Sequence, residues 1–202
     1  MSRIAAVILA GGGGTRLGGV NKALLTFGHE RLIDRAVAAA GGCSPMLAAV
    51  GRLSFELPAP LVSVRDLDGD YAGPLAGLAA AVAALATSDA EFLLSLAVDT
   101  PFFPHDFVAR ALPLLAHAPA AIGHFGEQDY PTNALWRLDA IRDLPANVRK
   151  GTAPHSLRRL AAGLAAARLD YAEPGASDPF RNANTPEDLA LLRGIAGLPD
   201  AD

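Results

Sequence analysis

Cysteine is nearly absent from this chain. The single Cys43 excludes an internal disulfide and leaves no cysteine-based metal cluster. Charge is sparse too: Asp, Glu, Lys and Arg make up 19% of the residues, the formal net charge is −4, and no block of one sign runs beyond a few residues. A basic nucleic-acid surface is therefore not indicated. Long apolar runs are also missing. The segment Ile4–Ala10 is far too short to span a bilayer, and glycines follow it where a signal peptide would carry a cleavage site. The five histidines (His29, His105, His117, His124 and His155) are scattered without ligand spacing and read as surface or capping residues. What is plentiful is apolar: 51% of 202 residues, which argues against disorder and suffices for one domain with a full core. The composition reads as that of a soluble protein of a reducing, cytoplasmic compartment, with neither nucleic acid nor membrane as partner.

Along the chain, short apolar runs alternate with helical patterns. "RIAAVILA", "PMLAAVG", "APLVSV" and "EFLLSLAV" read as strands, the first and last buried on both faces. "ERLIDRAVAAAG" and "GPLAGLAAAVAALATSDA" read as helices, the second with Pro74 near its start. "PHDFVARALPLLAHA" predicts a helix bent near Pro113, and "AAIGHF" and "PTNALWRL" a pair of strands. "SLRRLAAGLAAA" is helical, "RLDYAE" a strand, and "TPEDLALLRGIAG" a closing helix capped by Thr185. Residues 51–60, 147–154 and 174–178 read as irregular, and the last five as frayed. The alternation implies an α/β fold, a mostly parallel sheet with helices on both faces. No linker divides residues 1–202, so one domain is expected.

"LAGGGGTRLGGVNK" follows the first strand. Ligands of open parallel sheets bind beyond the carboxyl ends of strands, and glycines there let backbone N–H groups approach an anion. The spacing fails both common phosphate motifs. Val20 stands where a Walker lysine belongs, and Arg16 where the third dinucleotide-motif glycine belongs. The glycines at the strand end point to a phosphate or nucleotide site, to which Arg16 adds a planar fork and Lys22 a point charge.

"LAVDTPFF" places Asp99 directly after a buried strand. A carboxylate there, beside a phosphate site, suits Mg²⁺, which takes one or two carboxylates plus substrate phosphates. The alternative is a helix N-cap. "RDLDGDYAGPLAG" carries Asp66, Asp68 and Asp70, but Gly77 occupies the twelfth position of a would-be calcium loop, which excludes an EF-hand.

The glycine loop closely resembles the signature of the sugar- and cofactor-nucleotidyltransferases. Together with "DLDGDYAGPLAG", "VDTPFF", "YPTNALW" and "FRNANTPEDLALL", it resembles the molybdenum cofactor guanylyltransferase family over nearly the whole chain. The resemblance implies a Rossmann-like three-layer α/β/α nucleotidyltransferase fold. Its nucleotide-binding half would be about 1–100 and its acceptor-binding half about 101–196. It implies transfer of GMP from GTP to molybdopterin-bound molybdenum cofactor, with pyrophosphate released and Mg²⁺ (or Mn²⁺) as the metal. Carried over by position, Leu9, Ala10, Gly11, Gly12 and Gly14 contact the nucleotide, and Arg16 and Lys22 its phosphates. Asp66 takes the guanine side and Asp99 the metal, while Asn182 and Asn184 fall near the acceptor. A family asparagine near the end of the second strand is missing, with Ala49 and Gly51 in its region and Arg52 as a substitute.

The acceptor side is less defined. Thr132, Asn133 and Trp136 are placed near a pterin, with Trp136 equally readable as core. Arg149, Lys150, Arg158 and Arg159 read either as an anion clamp or as a solvated charged face. Transient contact with molybdoenzymes or their chaperones is a further expectation. The competing readings are a cytidylyltransferase for the same cofactor and a nucleotide-binding accessory protein without turnover.

Overall fold

The structure is a computed structural model that describes residues 3–11, 21–51, 55–65, 67 and 71–198. The first apolar run forms β1 (Ile4–Leu9). A two-residue hairpin, β2 (Thr26–Phe27) and β3 (Glu30–Arg31), leads into α1 (Leu32–Ala39). β4 (Met46–Ala49), β5 (Val62–Val64), α2 (Pro74–Ala84) and β6 (Phe92–Ala97) complete the first half. The second half runs through α3 (Phe107–Ala111), β7 (Ala120–Phe125), β8 (Gln128–Arg137), α4 (Leu138–Ile141), α5 (Leu144–Arg149), α6 (Leu157–Gly163), β9 (Ala167–Asp170) and α7 (Pro186–Ile195).

Seven strands form one sheet in the order β5-β4-β1-β6-β8-β7-β9. Parallel pairing joins β5, β4, β1 and β6, and β7 to β9; β8 alone runs against its neighbours. The expected mostly parallel sheet is present. Its faces follow from the period-2 alternation of strands. Ala6 and Ile8 of β1 join one core with residues of α1, α3 and α7, while Ala5, Val7 and Leu9 join the other with α2, α5 and α6. The result is three layers. The small residues of α2 let it sit close: a Cβ at Gly77 would stand 2.8 Å from the Ala49 Cβ and 3.1 Å from a Leu9 methyl.

The predicted helix over 104–118 tightens to a 3-10 turn at Leu112–Ala116, where Pro113 removes a helical donor. α5 extends over 147–149, the start of a stretch read as irregular. Pro145 in its first turn is compatible with a helix start, and burial of Leu144 and Val148 outweighs the low helix propensity of Asn147.

Cys43 is buried in the first core, and burial pushes its thiol from 9.0 up to about 11. The folded state thus keeps a proton that the unfolded chain loses at lower pH. The associated stability is complete below pH 9.0 and is lost as pH rises towards about 11. Cys43→Ala is expected to flatten the fall in urea midpoint across that window, and an unchanged slope would contradict the assignment.

Candidate functional site

The carboxyl ends of β1, β4 and β6 meet at one edge of the sheet. Two backbone links hold the ends together, Ala10 N–H donating to the Ala49 carbonyl at 2.9 Å and Val98 N–H to that of Leu9 at 3.2 Å, and a turn follows β6 in which Thr100 N–H donates to Ala97 at 3.3 Å. Gly11 follows β1 closely enough to the next crossover that a Cβ would come within 3.1 Å of the Gly51 nitrogen. Gly12, Gly14, Arg16, Arg52 and Asp66 lie outside the described residues.

Lys22 opens a short 3-10 turn, Lys22–Leu24, whose first N–H groups are capped by Asn21: its side-chain oxygen accepts from Ala23 N–H at 3.0 Å. The Lys22 ammonium donates to Asp99 Oδ2 and to Asn184 Oδ1, both at 2.7 Å. The Lys22 and Asp99 side chains are 20% and 14% exposed, so the pair is largely shielded from screening by water. These are short charge-assisted bonds. They use two of the three ammonium donors among the described residues. Asp99 is not a helix cap, because that position before α3 belongs to Asp106. The Pro101 carbonyl that follows accepts from the Arg35 guanidinium at 3.1 Å, which fixes the loop from α1.

Asn184, which the resemblance puts near the acceptor, sits on the Lys22–Asp99 pair. Its segment is tied down twice. Ala183 N–H donates to the Asp99 carbonyl at 2.8 Å. The capping box of α7 adds a second tie: the Asp188 carboxylate accepts from the N–H groups of Asn184 and Thr185, both at 3.1 Å. Asn182 accepts from the Thr100 hydroxyl at 3.2 Å.

Thr132 and Asn133 lie where β8 departs from regular pairing. Ile122 opposes Ala134, but the next residue, Gly123, opposes Tyr130, so residues 131–133 bulge. The pairing of β6 with β8 stops at Ser95, and Asn133 replaces the missing ladder partner: its Oδ1 accepts from Ala97 N–H at 3.0 Å. Asn133 is fully buried, and Thr132 is half-buried. Trp136 is core. It is fully buried and donates from Nε1 to Ser95 Oγ at 2.9 Å.

The basic stretch divides. Arg149 lines a groove of about 1230 Å³ with Glu91 and Phe92, at the amino end of β6 and so at the opposite edge from Asp99. Arg158 lies 3.5 Å from the Asp129 carbonyl. A cluster that the sequence concealed surrounds Asp129. His124 Nδ1 lies 2.7 Å from Asp129 Oδ1, and Arg168 bonds both carboxylate oxygens at 2.8 and 3.0 Å. Burial alone would raise the Asp129 pKa, but Arg168 and His124 outweigh it and hold the carboxyl below its usual range. His124 is therefore a half-buried partner rather than a surface residue. Its sequence neighbours carry no pattern for this, because β9 delivers Arg168 from far along the chain.

Among the described residues the edge offers a partly buried cation, a carboxylate and an amide oxygen beyond parallel strands, which suit a phosphate with a hard divalent metal. Known proteins agree with this chemistry. The family model for the MobA-like NTP transferase domain matches residues 6–168. The molybdenum cofactor guanylyltransferase of Rhodobacter capsulatus is 39% identical over 197 residues, covering 93% of this chain and 94% of that protein. The one from Acidiphilium cryptum is 37% identical over 190 residues, covering 93% of each. The crystal structure of molybdopterin-guanine dinucleotide biosynthesis protein A from Archaeoglobus fulgidus superposes with a TM-score of 0.68 at 19% identity, over 96% of this chain and 98% of that one, so the fold is shared. With four-fifths of its length matched by the family model and full-length relatives above 30% identity, this chain belongs to the MobA-like NTP transferases.

Proposed function

We propose that this protein is a nucleotidyltransferase that moves GMP from GTP to the terminal phosphate of a molybdopterin-type cofactor. The observation that carries the reading is the Lys22–Asp99–Asn184 junction beyond the ends of β1 and β6, in a chain whose full-length relatives are guanylyltransferases. Leu9, Ala10 and Gly11, continued by Gly12 and Gly14, enclose the nucleotide with backbone amides. Lys22 and Arg16 face its phosphates, and Asp66 its base. Thr132 and Asn182 flank the acceptor, with Asn133 holding the end of β6 in place. The halves of the chain before and after about residue 100 thus carry donor and acceptor.

Asp99 and the Asn184 amide oxygen form an oxygen-only donor set, and no group of three His, Cys, Asp or Glu side chains gathers among the described residues. That set fits a metal held jointly with substrate phosphates, and Mg²⁺, or Mn²⁺ in its place, would supply charge neutralisation there. The chain's own residues then bind and orient. An oxygen of the acceptor phosphate forms a bond to the α-phosphorus of GTP. The bridging bond to the β-phosphate breaks, and its electron pair leaves on pyrophosphate. The Lys22 ammonium keeps its proton and stabilises the charge that gathers on the leaving group. A phosphate nucleophile is already anionic near neutral pH and needs no general base. No described helix is long and apolar enough to cross a membrane. We place the reaction in the cytoplasm, with the product passed to molybdoenzymes by transient contact.

Thermal unfolding with each nucleotide and Mg²⁺ tests the reading. At a hundred times its dissociation constant GTP adds about 2.7 kcal/mol, or roughly 5–10 °C for a chain of this size. A larger shift with CTP would assign cytidylyl transfer instead. No shift with GTP, CTP, ATP or UTP would contradict the triphosphate site, and a GTP shift without turnover on the acceptor would favour an accessory protein.

A further inference from the structure

We propose that residues 178–184 form a strap that sets the position of Lys22, with Gly123 and Phe180 as its positioning residues. The catalytic consequence rests on the guanylyl-transfer reading; the strap itself does not. One end of the strap is anchored on the β7–β8 hairpin. The Asp178 carboxylate accepts from the Tyr130 hydroxyl through Oδ2 and from Phe180 N–H through Oδ1 at 2.9 Å. The Phe180 ring is fully buried among Phe103, Phe107, Tyr130 and Tyr171, whose centroids lie 5.2 to 6.3 Å away. Its outer edge presses on the backbone of β7. A Cβ at Gly123 would stand 2.8, 2.9 and 3.0 Å from Cζ, Cε1 and Cε2 of the ring. Real Cβ atoms essentially never approach closer than 3.0 Å, and the aromatics packed around the ring resist its retreat in a close-packed core.

The other end carries the site. Asn182 accepts from Thr100, Ala183 N–H donates to the Asp99 carbonyl, and Asn184 accepts from Lys22. From Phe180 to Asn184 the chain reaches at most about 14 Å. A strap this short, pinned at both ends, passes a displacement of Phe180 on to Asn184. Neither Gly123 nor Phe180 is bonded to Lys22 or Asp99, so their effect runs through the strap.

The chain suits a direct test, because its only lysines are Lys22 and the exposed Lys150. Acetylation by acetic anhydride, read by mass spectrometry, gives Lys22 reactivity against Lys150 as an internal standard. Gly123→Ala is expected to raise that ratio severalfold and, with GTP and acceptor, to lower kcat by about 10²-fold with a smaller change in KM, the cost of misplacing a group that acts in the transition state. Gly123→Ala/Phe180→Leu removes the outer ring atoms that the new methyl meets and is expected to restore both. Tyr130→Phe keeps the aromatic volume while releasing Asp178, and is expected to raise the Lys22 ratio even where Gly123→Ala folds poorly. An unchanged ratio in both Gly123→Ala and Tyr130→Phe would overturn the strap, as would a double variant no better than the single. The ratio needs no nucleotide, so a wild-type protein inert towards GTP would defeat the guanylyl-transfer reading and leave the strap to be decided by acetylation.

Discussion

Asp99→Asn is expected to lower turnover by about 10²- to 10³-fold while leaving the fold in place, the range typical of losing one preorganised electrostatic group. The substitution keeps shape and keeps an oxygen able to accept from Lys22, now 2.7 Å from Asp99 Oδ2. It removes only the negative charge. The Lys22 cation, 80% shielded from water and no longer neutralised by Asp99, then attracts the triphosphate more strongly. KM for GTP should therefore stay level or fall as kcat drops. That split separates loss of the metal charge from loss of nucleotide binding, which would raise KM. Steady-state kinetics at saturating Mg²⁺ would measure it. Wild-type kcat in this variant would exclude Asp99 from the metal site.

Trp136→Ala is expected to cost about 3–5 kcal/mol, out of a total for a domain of about 5–15 kcal/mol. The ring is fully buried in the α2 face of the core, and its removal also strips Ser95 Oγ of the indole donor at 2.9 Å. Burying an unsatisfied polar atom adds to the cavity term. Trp136→Phe separates the two contributions. It keeps most of the packing and loses the hydrogen bond, at about 1–3 kcal/mol, and adding Ser95→Ala should recover much of that loss. Urea denaturation would check each value. A pterin-facing tryptophan would behave differently, with a raised acceptor KM and an unchanged urea midpoint.

The fold was largely legible because its strands announce themselves. β1 and β6 are short apolar runs closed by glycine or by Asp99, and α7 carries its own capping signal in Thr185 and Asp188. α5 was not, because its helicity comes from burial of Leu144 and Val148 against other elements rather than from local propensity. The site was legible in its residue types. Lys22, Asp99 and Asn184 were each singled out by a motif, yet nothing local joined them. Lys22 and Asn184 are separated by 162 positions, and only the placement of residues 182–184 against the end of β6 makes them partners.

By itself, then, the sequence determined the alternation of strands and helices, the positions of Lys22 and Asp99 beyond strand ends, and the family. These are written in local periodicity, glycine placement and motif order, which a linear chain displays directly. Tertiary structure alone decided that Asn184 serves Lys22, that Trp136 and Asn133 are interior, that Asp129 gathers His124 and Arg168, and that Gly123 makes room for Phe180. Each of these depends on which distant segments the sheet order sets side by side, and a contact between such segments leaves no periodic trace in either one.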